Sequence, residues 1–325
     1  MTTDERARLT TINVQDKAKL IWAIADKIVN VYKPNEYGEV ILPMCVIKRF
    51  SDTLAPTKKA VLEKNEELTK KGIQVKDGLL KKAAGDLLFY NTCKYSFEDL
   101  INDPDNLEAN FRHYISCFSN NVIDIINKFD FEKEITRMAN NDLLFTVVQE
   151  FCTKKAYMGA DLISSQDMGY IFEELIRRFS ESYNASAGSH FTARDIIYLM
   201  SDLLVGEEKE ALKQEGISTT IYDMAMGTSQ MLACMTERLE AIDKDANIYC
   251  FGQEINEETF AIAKADMLIK GGNADNMKHG NTLSNDQFKG YTFDYIISNP
   301  PPAAPHGSWQ VRGCSGPPRR WEDRT

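Results

Sequence analysis

The sequence holds no Cys-x-x-Cys pair. Its seven cysteines, Cys45, Cys93, Cys117, Cys152, Cys234, Cys250 and Cys314, are scattered and odd in number. That excludes a disulfide framework and gives no zinc-finger spacing, so buried free thiols in a reducing compartment are expected and no metal site is. Nor is there an apolar run of about 18 residues, the length that a membrane-crossing helix needs. The start, Met1 to Thr11, is polar and charged and lacks the apolar core of a signal peptide. The expected location is therefore cytoplasmic, with no membrane partner. Basic residues are also short: 38 Lys and Arg stand against 48 Asp and Glu, a formal net charge of −10. A chain that grips duplex DNA alone usually carries a basic face or domain. The acidic balance argues against tight autonomous binding and leaves room for a local basic groove or for DNA delivered by a partner. What remains is an ordinary globular balance, 43% hydrophobic and 26% charged over 325 residues. That length suits two domains of about 100–200 residues each.

Helical spacing dominates the first part. Leu20, Ile21, Ile24, Ile28 and Val29 form one stripe, with Asn13 or Asp16 as candidate caps, and Lys33 to Gly38 breaks it. Leu42, Cys45, Val46, Phe50 and Leu54 form a second stripe, and the charged segment from Thr57 to Lys71 reads as a solvated helix. The period returns in Phe111, Ile115, Phe118, Val122 and Ile126, in Phe145, Val148 and Phe151, and in Met168, Ile171, Phe172, Leu175, Ile176 and Phe179. Strand-like alternation is scarce before residue 215. After Ser218 short β-rich runs, Thr219–Asp223, Ile248–Gly252 and Phe293–Ser298, alternate with helical segments Met231–Ile242 and Glu257–Lys270. Such alternation implies βαβ units and a parallel sheet. From Pro302 the chain has no period, and Pro, Gly and Arg are dense. The expected division is a helical domain over 1–160, a partial α/β domain over 161–301, and an irregular, foreign or frame-shifted tail over 302–325.

Three segments carry chemistry. At Asp223-Met224-Ala225-Met226-Gly227-Thr228 a strand ends, a glycine-bearing loop follows and a helix begins, which offers backbone N–H groups and a helix N-terminus to a ligand. The next strand ends at Gln253-Glu254, where a carboxylate can accept from both hydroxyls of a ribose. The third strand ends in Ser298-Asn299-Pro300-Pro301. There the prolines bar continuation of the strand and set the Asn amide on a stiff platform. An amide both donates and accepts, so it suits the edge of a base. Taken singly, a βα turn with Gly, a loop acid and an Asn-Pro turn are all ordinary features.

In this order the segments resemble S-adenosylmethionine-dependent amino-methyltransferases, and among these the modification (M) subunits of type I restriction-modification systems, which are adenine-N6 DNA methyltransferases. Further matching segments are Gly188-Ser189-His190-Phe191-Thr192-Ala193-Arg194, Gly252-Gln253-Glu254-Ile255-Asn256 and Gly280-Asn281-Thr282-Leu283. The likeness spans roughly residues 10 to 301 and stops just after the Asn-Pro-Pro motif. It implies a helical N-terminal domain followed by an incomplete Rossmann-like methyltransferase sheet, an α plus α/β fold. It also implies roles: Phe191 and Thr192 at the methionine part of the cofactor, Asp223, Gly227 and Thr228 around its amino-acid end, Glu254 on the ribose and Asn281 at the adenine. Asn299, Pro300 and Pro301 would form the catalytic motif that holds the amine of a flipped target adenine. Implied partners are DNA, a specificity subunit that reads the sequence, and a restriction subunit.

The chain departs from the family pattern at several points. Met224 stands where Pro is common, Ser229-Gln230 where Gly-Gly is common, and Ala193 where Pro is common. Pro302 stands where an aromatic ring stacks on the base. With the strands that normally follow also missing, the chain by itself is expected to be an inactive fragment. The alternatives are a non-catalytic interaction module and a methyltransferase of the same fold acting on RNA or protein.

Overall fold

The structure is a computed structural model that describes residues 17, 19–164, 167–169, 171–172, 174–175, 192–208, 212 and 218–300. The candidate caps Asn13 and Asp16, the apolar residues Ile176 and Phe179, Phe191, Pro301 and the tail from 302 lie outside these.

The first part is a helical bundle. α1 (19–28) ends one residue before Val29, which is exposed in the turn. A short 3-10 turn at Pro34–Glu36 leads into α2 (Tyr37–Leu54). The sequence shows one apolar stripe on α2, yet the structure buries nearly every side of it, including Lys48, Arg49 and Asp52. Buried charges need partners. Lys48 pairs with Asp52 at 2.7 Å and Glu98 at 2.6 Å, and Asp52 also accepts from the Met158 backbone N–H at 2.7 Å. Arg49 donates to the carbonyls of Met158 and Ile163, the latter at 2.7 Å. These bonds fasten the segment that leads out of the bundle. Around α2 lie α3 (Lys58–Lys70), α4 (Asp77–Ala83), α5 (Leu107–Ser116), α6 (Asn120–Asn127), α7 (Phe131–Asn140) and α8 (Leu144–Phe151). The stripe from Phe111 to Ile126 is not one helix. It breaks between α5 and α6, where Phe118 forms an antiparallel bridge with Asn91.

The second part opens with α9 (Arg194–Val205) and continues as β1 (Ser218–Asp223), α10 (Gln230–Ile242), β2 (Asn247–Glu254), α11 (Glu257–Ile269), β3 (Met277–His279) and β4 (Tyr295–Ile296). The strands form one parallel sheet in the order β3-β2-β1-β4. Steps from β1 to β2 and from β2 to β3 move outward to one side. The chain then returns across the sheet, and β4 pairs with the opposite edge of β1. β3 is too short for its alternation to show in the sequence. β4 is shorter than the run Phe293–Ser298 suggests, although Ile297 still donates to the Tyr222 carbonyl at 3.0 Å.

The two parts share α11. Phe260, Ala263 and Met267 pack into the core under the sheet, with Ile221, Leu232 and Tyr295. Ala261, Ile262, Ala265, Leu268 and Ile269 pack into the core of the bundle. A helix apolar on all sides has to be buried on all sides. Lys128 and Glu257 add an ion pair at 3.2 Å across the same junction. Among the described residues, no helix is long and apolar enough to cross a membrane.

Small side chains let α11 approach the bundle, so enlarging one should force strain on both cores. Ala265, 3% exposed, is the test: Ala265→Leu should lower stability by about 1–3 kcal/mol. Urea denaturation followed by far-ultraviolet circular dichroism measures this, and an unchanged midpoint would show that the junction is loosely packed.

Candidate functional site

Where successive connections leave a strand in opposite directions, the loops after neighbouring strands part and open a crevice at their carboxyl ends. In this sheet that point lies between β1 and β4, and the residues there are Asp223, Ser298 and Asn299.

Asp223 ends β1 and is fully buried. Its Oδ1 accepts from the Ser298 hydroxyl at 2.7 Å and from the Ala225 N–H at 3.0 Å. Its Oδ2 is buried and has no hydrogen-bond partner among the described residues. Burial pushes the carboxyl up to about 7, against the lowering effect of those two bonds. A group held near neutrality in this way is poised to lose its proton when a cationic donor arrives.

The loop after Asp223 is shaped by two left-handed residues, Gly227 at φ 53° and Ser229 at φ 68°. Glycine adopts this region without cost, and serine does so only with strain. Position 229 thus demands the conformation that glycine favours, and Gln230 begins α10 immediately after it. Thr228, half-buried, lies between them. The Gly227 N–H donates to Glu254 Oε2 at 2.8 Å, while Oε1 accepts from the Asn256 N–H at 2.8 Å. The ends of β1 and β2 are therefore joined through the Glu254 carboxylate. Gly252, opposite Asp223 in the ladder, leaves room for Met226, whose sulfur lies 2.2 Å from where a Cβ would stand.

At β4, Asn299 is exposed, and its Nδ2 donates to Thr192 Oγ1 at 2.8 Å. Thr192 and Asn299 are 107 residues apart in sequence. This contact brings the segment before α9 to the Asn-Pro motif. Pro300 is exposed beside it. Asn281 bonds within its own turn, where its Oδ1 accepts from the Leu283 N–H at 2.9 Å. The neighbouring Thr282 makes the link instead, donating to the Met224 carbonyl at 2.6 Å. Phe191 and Pro301 lie outside the described residues.

Sequence inspection passed over three residues here. Ser298 holds Asp223. Thr282 ties the loop after β3 to the loop after β1. Gln253, fully buried, donates to the carbonyls of Gly280 and Asn285 at 3.2 and 2.8 Å and accepts from the Gln287 N–H at 3.2 Å. Its signal was available, because an amide inside an otherwise apolar strand must find partners.

Comparison with known proteins gives two family matches in tandem. An HsdM N-terminal domain matches residues 17–151, and the N-6 DNA methylase family matches residues 163–321. The chain is 20% identical over 297 residues to the type I restriction enzyme MjaIX methylase subunit of Methanocaldococcus jannaschii, covering 86% of this chain and 50% of that protein. It is 27% identical over 153 residues to the HindI methylase subunit of Haemophilus influenzae, covering 46% and 32%. It thus spans half or less of the length of these relatives. A crystal structure of a type I restriction-modification methyltransferase subunit from Streptococcus thermophilus superposes with a TM-score of 0.60 at 19% identity, over 90% of this chain and 64% of that one. At that identity the likeness speaks to the fold.

Two outcomes follow from the loop. Ser229→Gly should raise stability by up to about 1 kcal/mol by removing left-handed strain, offset in part by the entropy of glycine, and a lowered thermal midpoint would contradict it. For Asp223, the folded carboxyl titrates near 7 and the unfolded one near 3.9. Between those values the unfolded chain has lost the proton that the folded chain keeps. Stability therefore falls as pH rises through that window, by at most about 1.4 kcal/mol per unit, and levels off above it. Asp223→Asn lacks this loss, so its stability relative to wild type should improve by about 1–3 kcal/mol between pH 5 and pH 8. Denaturant titrations at the two pH values measure the difference, and a constant offset would mean that Asp223 stays ionised.

Proposed function

We propose that this chain is a methylase subunit of the type I restriction-modification class, a reading supported by the tandem matches to an HsdM N-terminal domain and to the N-6 DNA methylase family, and that it carries the cofactor pocket and Asn-Pro motif of a DNA adenine-N6 methyltransferase. The single observation that carries this is the convergence at the β1/β4 crossover. Asp223, Ser298, Asn299 and Thr192, with Glu254 one strand away, come from four separate segments and meet at the carboxyl ends of the strands.

The residues present fit S-adenosylmethionine. The buried, partnerless Oδ2 of Asp223 suits the ammonium of the amino-acid end, with Gly227 and Thr228 beside it. Glu254 has accepted one N–H on each oxygen, and a carboxylate offers about four lone-pair sites. Two therefore remain for the hydroxyls of the ribose. Thr192 and Phe191 would border the methionine part, and Asn281 the adenine. When bound, the cofactor supplies an electrophilic methyl group on sulfur.

The chain's own residues then act by position and charge. Thr192 fixes the Asn299 amide through Nδ2. Oδ1 of Asn299 and the Pro300 carbonyl are left to accept from the exocyclic amine of the target base. Those acceptors stabilise positive charge as it builds on the nitrogen, and the fixed amide holds the amine in line for attack. Because N6 is paired inside a duplex, the adenine has to be turned out of the stack first. With an acidic chain, sequence reading and much of the DNA affinity fall to a specificity subunit, and cleavage falls to a restriction subunit, in a cytoplasmic complex.

Calorimetry of the whole chain with S-adenosylmethionine, and transfer of labelled methyl to DNA with a specificity subunit supplied, test this proposal. Glu254→Ala should weaken cofactor binding by about 10–100-fold, the equivalent of about 1.5–3 kcal/mol for bonds to a charged acceptor. Asn299→Ala should bind the cofactor normally, and it should abolish the methyl transfer expected of a chain whose residues 302–325 are replaced by a full family C-terminus. No binding by the wild-type chain would overturn the proposal, and label appearing on RNA or protein rather than DNA would redirect it.

A further inference from the structure

Far along the sequence from this site, the bundle brings two thiols and an imidazole together. Cys93 lies in the segment before α5, His113 in the last turn of α5, and Cys117 one turn later at its end. The two sulfurs and a ring nitrogen of His113 all lie within 4.8 Å of one another. His113 and Cys117 are four residues apart, which places two ligand side chains on one face of a helix end. Nε2 of His113 is 3.6 Å from Sγ of Cys117. The usual bond lengths, Zn–S of about 2.3 Å and Zn–N of about 2.0–2.1 Å, set tetrahedrally, put a sulfur and a nitrogen on one ion about 3.5 Å apart. We propose that Cys93, His113 and Cys117 form a binding site for a zinc-class divalent ion, with water in the fourth position.

The surroundings hold these ligands in place. The Thr92 N–H donates to the Cys117 carbonyl at 2.9 Å, next to the Asn91–Phe118 bridge. Asn91, buried, accepts from the Cys93 N–H at 2.8 Å and donates to the Tyr114 carbonyl at 3.0 Å. The backbones carrying the two cysteines are thus joined before any ion arrives. Cys93 is buried, Cys117 is half-buried and His113 is exposed, so the cluster is reached from one side, where water can complete the shell. Lys58 donates to Asn91 Oδ1 at 3.0 Å, so its ammonium stands beside the cluster, and a metal ion has to displace the protons of both thiols to bind. Two thiolates and one imidazole are a soft set that selects zinc, or cobalt(II) as its spectroscopic substitute, over magnesium or calcium.

The site was not visible in the sequence because its cysteines are 24 positions apart (93 to 117), and the helical His-x-x-x-Cys pair is common without a metal. Cobalt(II) titration of the reduced full-length chain is the test. One equivalent should produce a thiolate-to-cobalt band in the near ultraviolet and intense visible bands of four-coordinate cobalt, and zinc should abolish both. His113→Gln alters an exposed side chain and should fold normally by circular dichroism. It and Cys117→Ser should each weaken binding by at least about tenfold. Zinc should also protect two thiols from a disulfide-forming reagent in the wild type. No cobalt band at micromolar concentrations overturns the proposal, and so does unchanged affinity in either variant. Loss of both thiols to a mutual disulfide under reducing conditions overturns it as well.

Discussion

Helix α11 is the element on which both halves of the molecule depend. It carries two apolar faces, one of Phe260, Ala263 and Met267 and one of Ala261, Ile262, Ala265, Leu268 and Ile269. A surface helix has one apolar stripe and gains its stability by burying it once. Here each turn is buried against both the sheet and the bundle, so neither face is satisfied unless both parts are folded. The bundle serves as the outer layer of the sheet on that side. The sheet's helices would otherwise expose a contiguous apolar surface, which soluble proteins rarely tolerate.

That coupling bears on the crevice. The loops after β1, β2 and β3 hold one another through side chain to backbone bonds: Glu254 to Gly227, Thr282 to the Met224 carbonyl, and Gln253 to Gly280 and Asn285. Each bond alone contributes little net stability. Each becomes costly to break when buried, because the freed group stays unpaired. The positions of Asp223 and Glu254 are therefore set by strands anchored on α11, and the chain retains a strained Ser229 and a buried carboxylate there. Departures from locally favoured structure of this kind concentrate where a protein acts on a ligand.

Much of this was legible in the sequence, and the limits have physical causes. Long periodic segments show plainly: the charged α3 and the helices α10 and α11 coincide with their predicted spans to within a residue or so, whereas α2 begins at Tyr37, inside the expected break and five residues before its stripe at Leu42. The alternation of β-rich runs and helical segments after Ser218 also carried the parallel sheet. Burial, by contrast, is tertiary. The stripe on α2 gave no hint that Lys48 and Arg49 are buried, since partners such as Glu98 and the Ile163 carbonyl are distant in sequence. The period from Phe111 to Ile126 suggested continuity, but it is broken by a bridge to Asn91 that no local pattern encodes. In the crevice, Asp223 and Glu254 were legible because strand ends are. Ser298 and Thr282 were not, since one hydroxyl among many has no distinguishing spacing.

The second face of the sheet shows how the chain handles a surface that its helices do not reach. Register places Thr220 beside Tyr249, and Tyr222 between Phe251 and Ile296, all on the side away from α10 and α11. The loop before β4 folds back over part of this face. Phe293 stacks on Tyr222 at 4.6 Å, and Phe288 meets Tyr222 and Phe251 edge-on at 5.3 and 5.6 Å. Aromatic rings cover large areas with few degrees of freedom to lose, and edge-to-face contacts add about 0.5–1.5 kcal/mol per pair. The cover lies over Tyr222 and Phe251, while their neighbours Tyr249 and Ile296 remain about half exposed. Successive side chains alternate between the two faces of a strand, so Asp223 turns toward the side that Ile221 shares with the helices. That side is closed by the apolar core beneath the sheet, and burial there, rather than the aromatic cover, is what raises the Asp223 carboxyl above the usual carboxylate range.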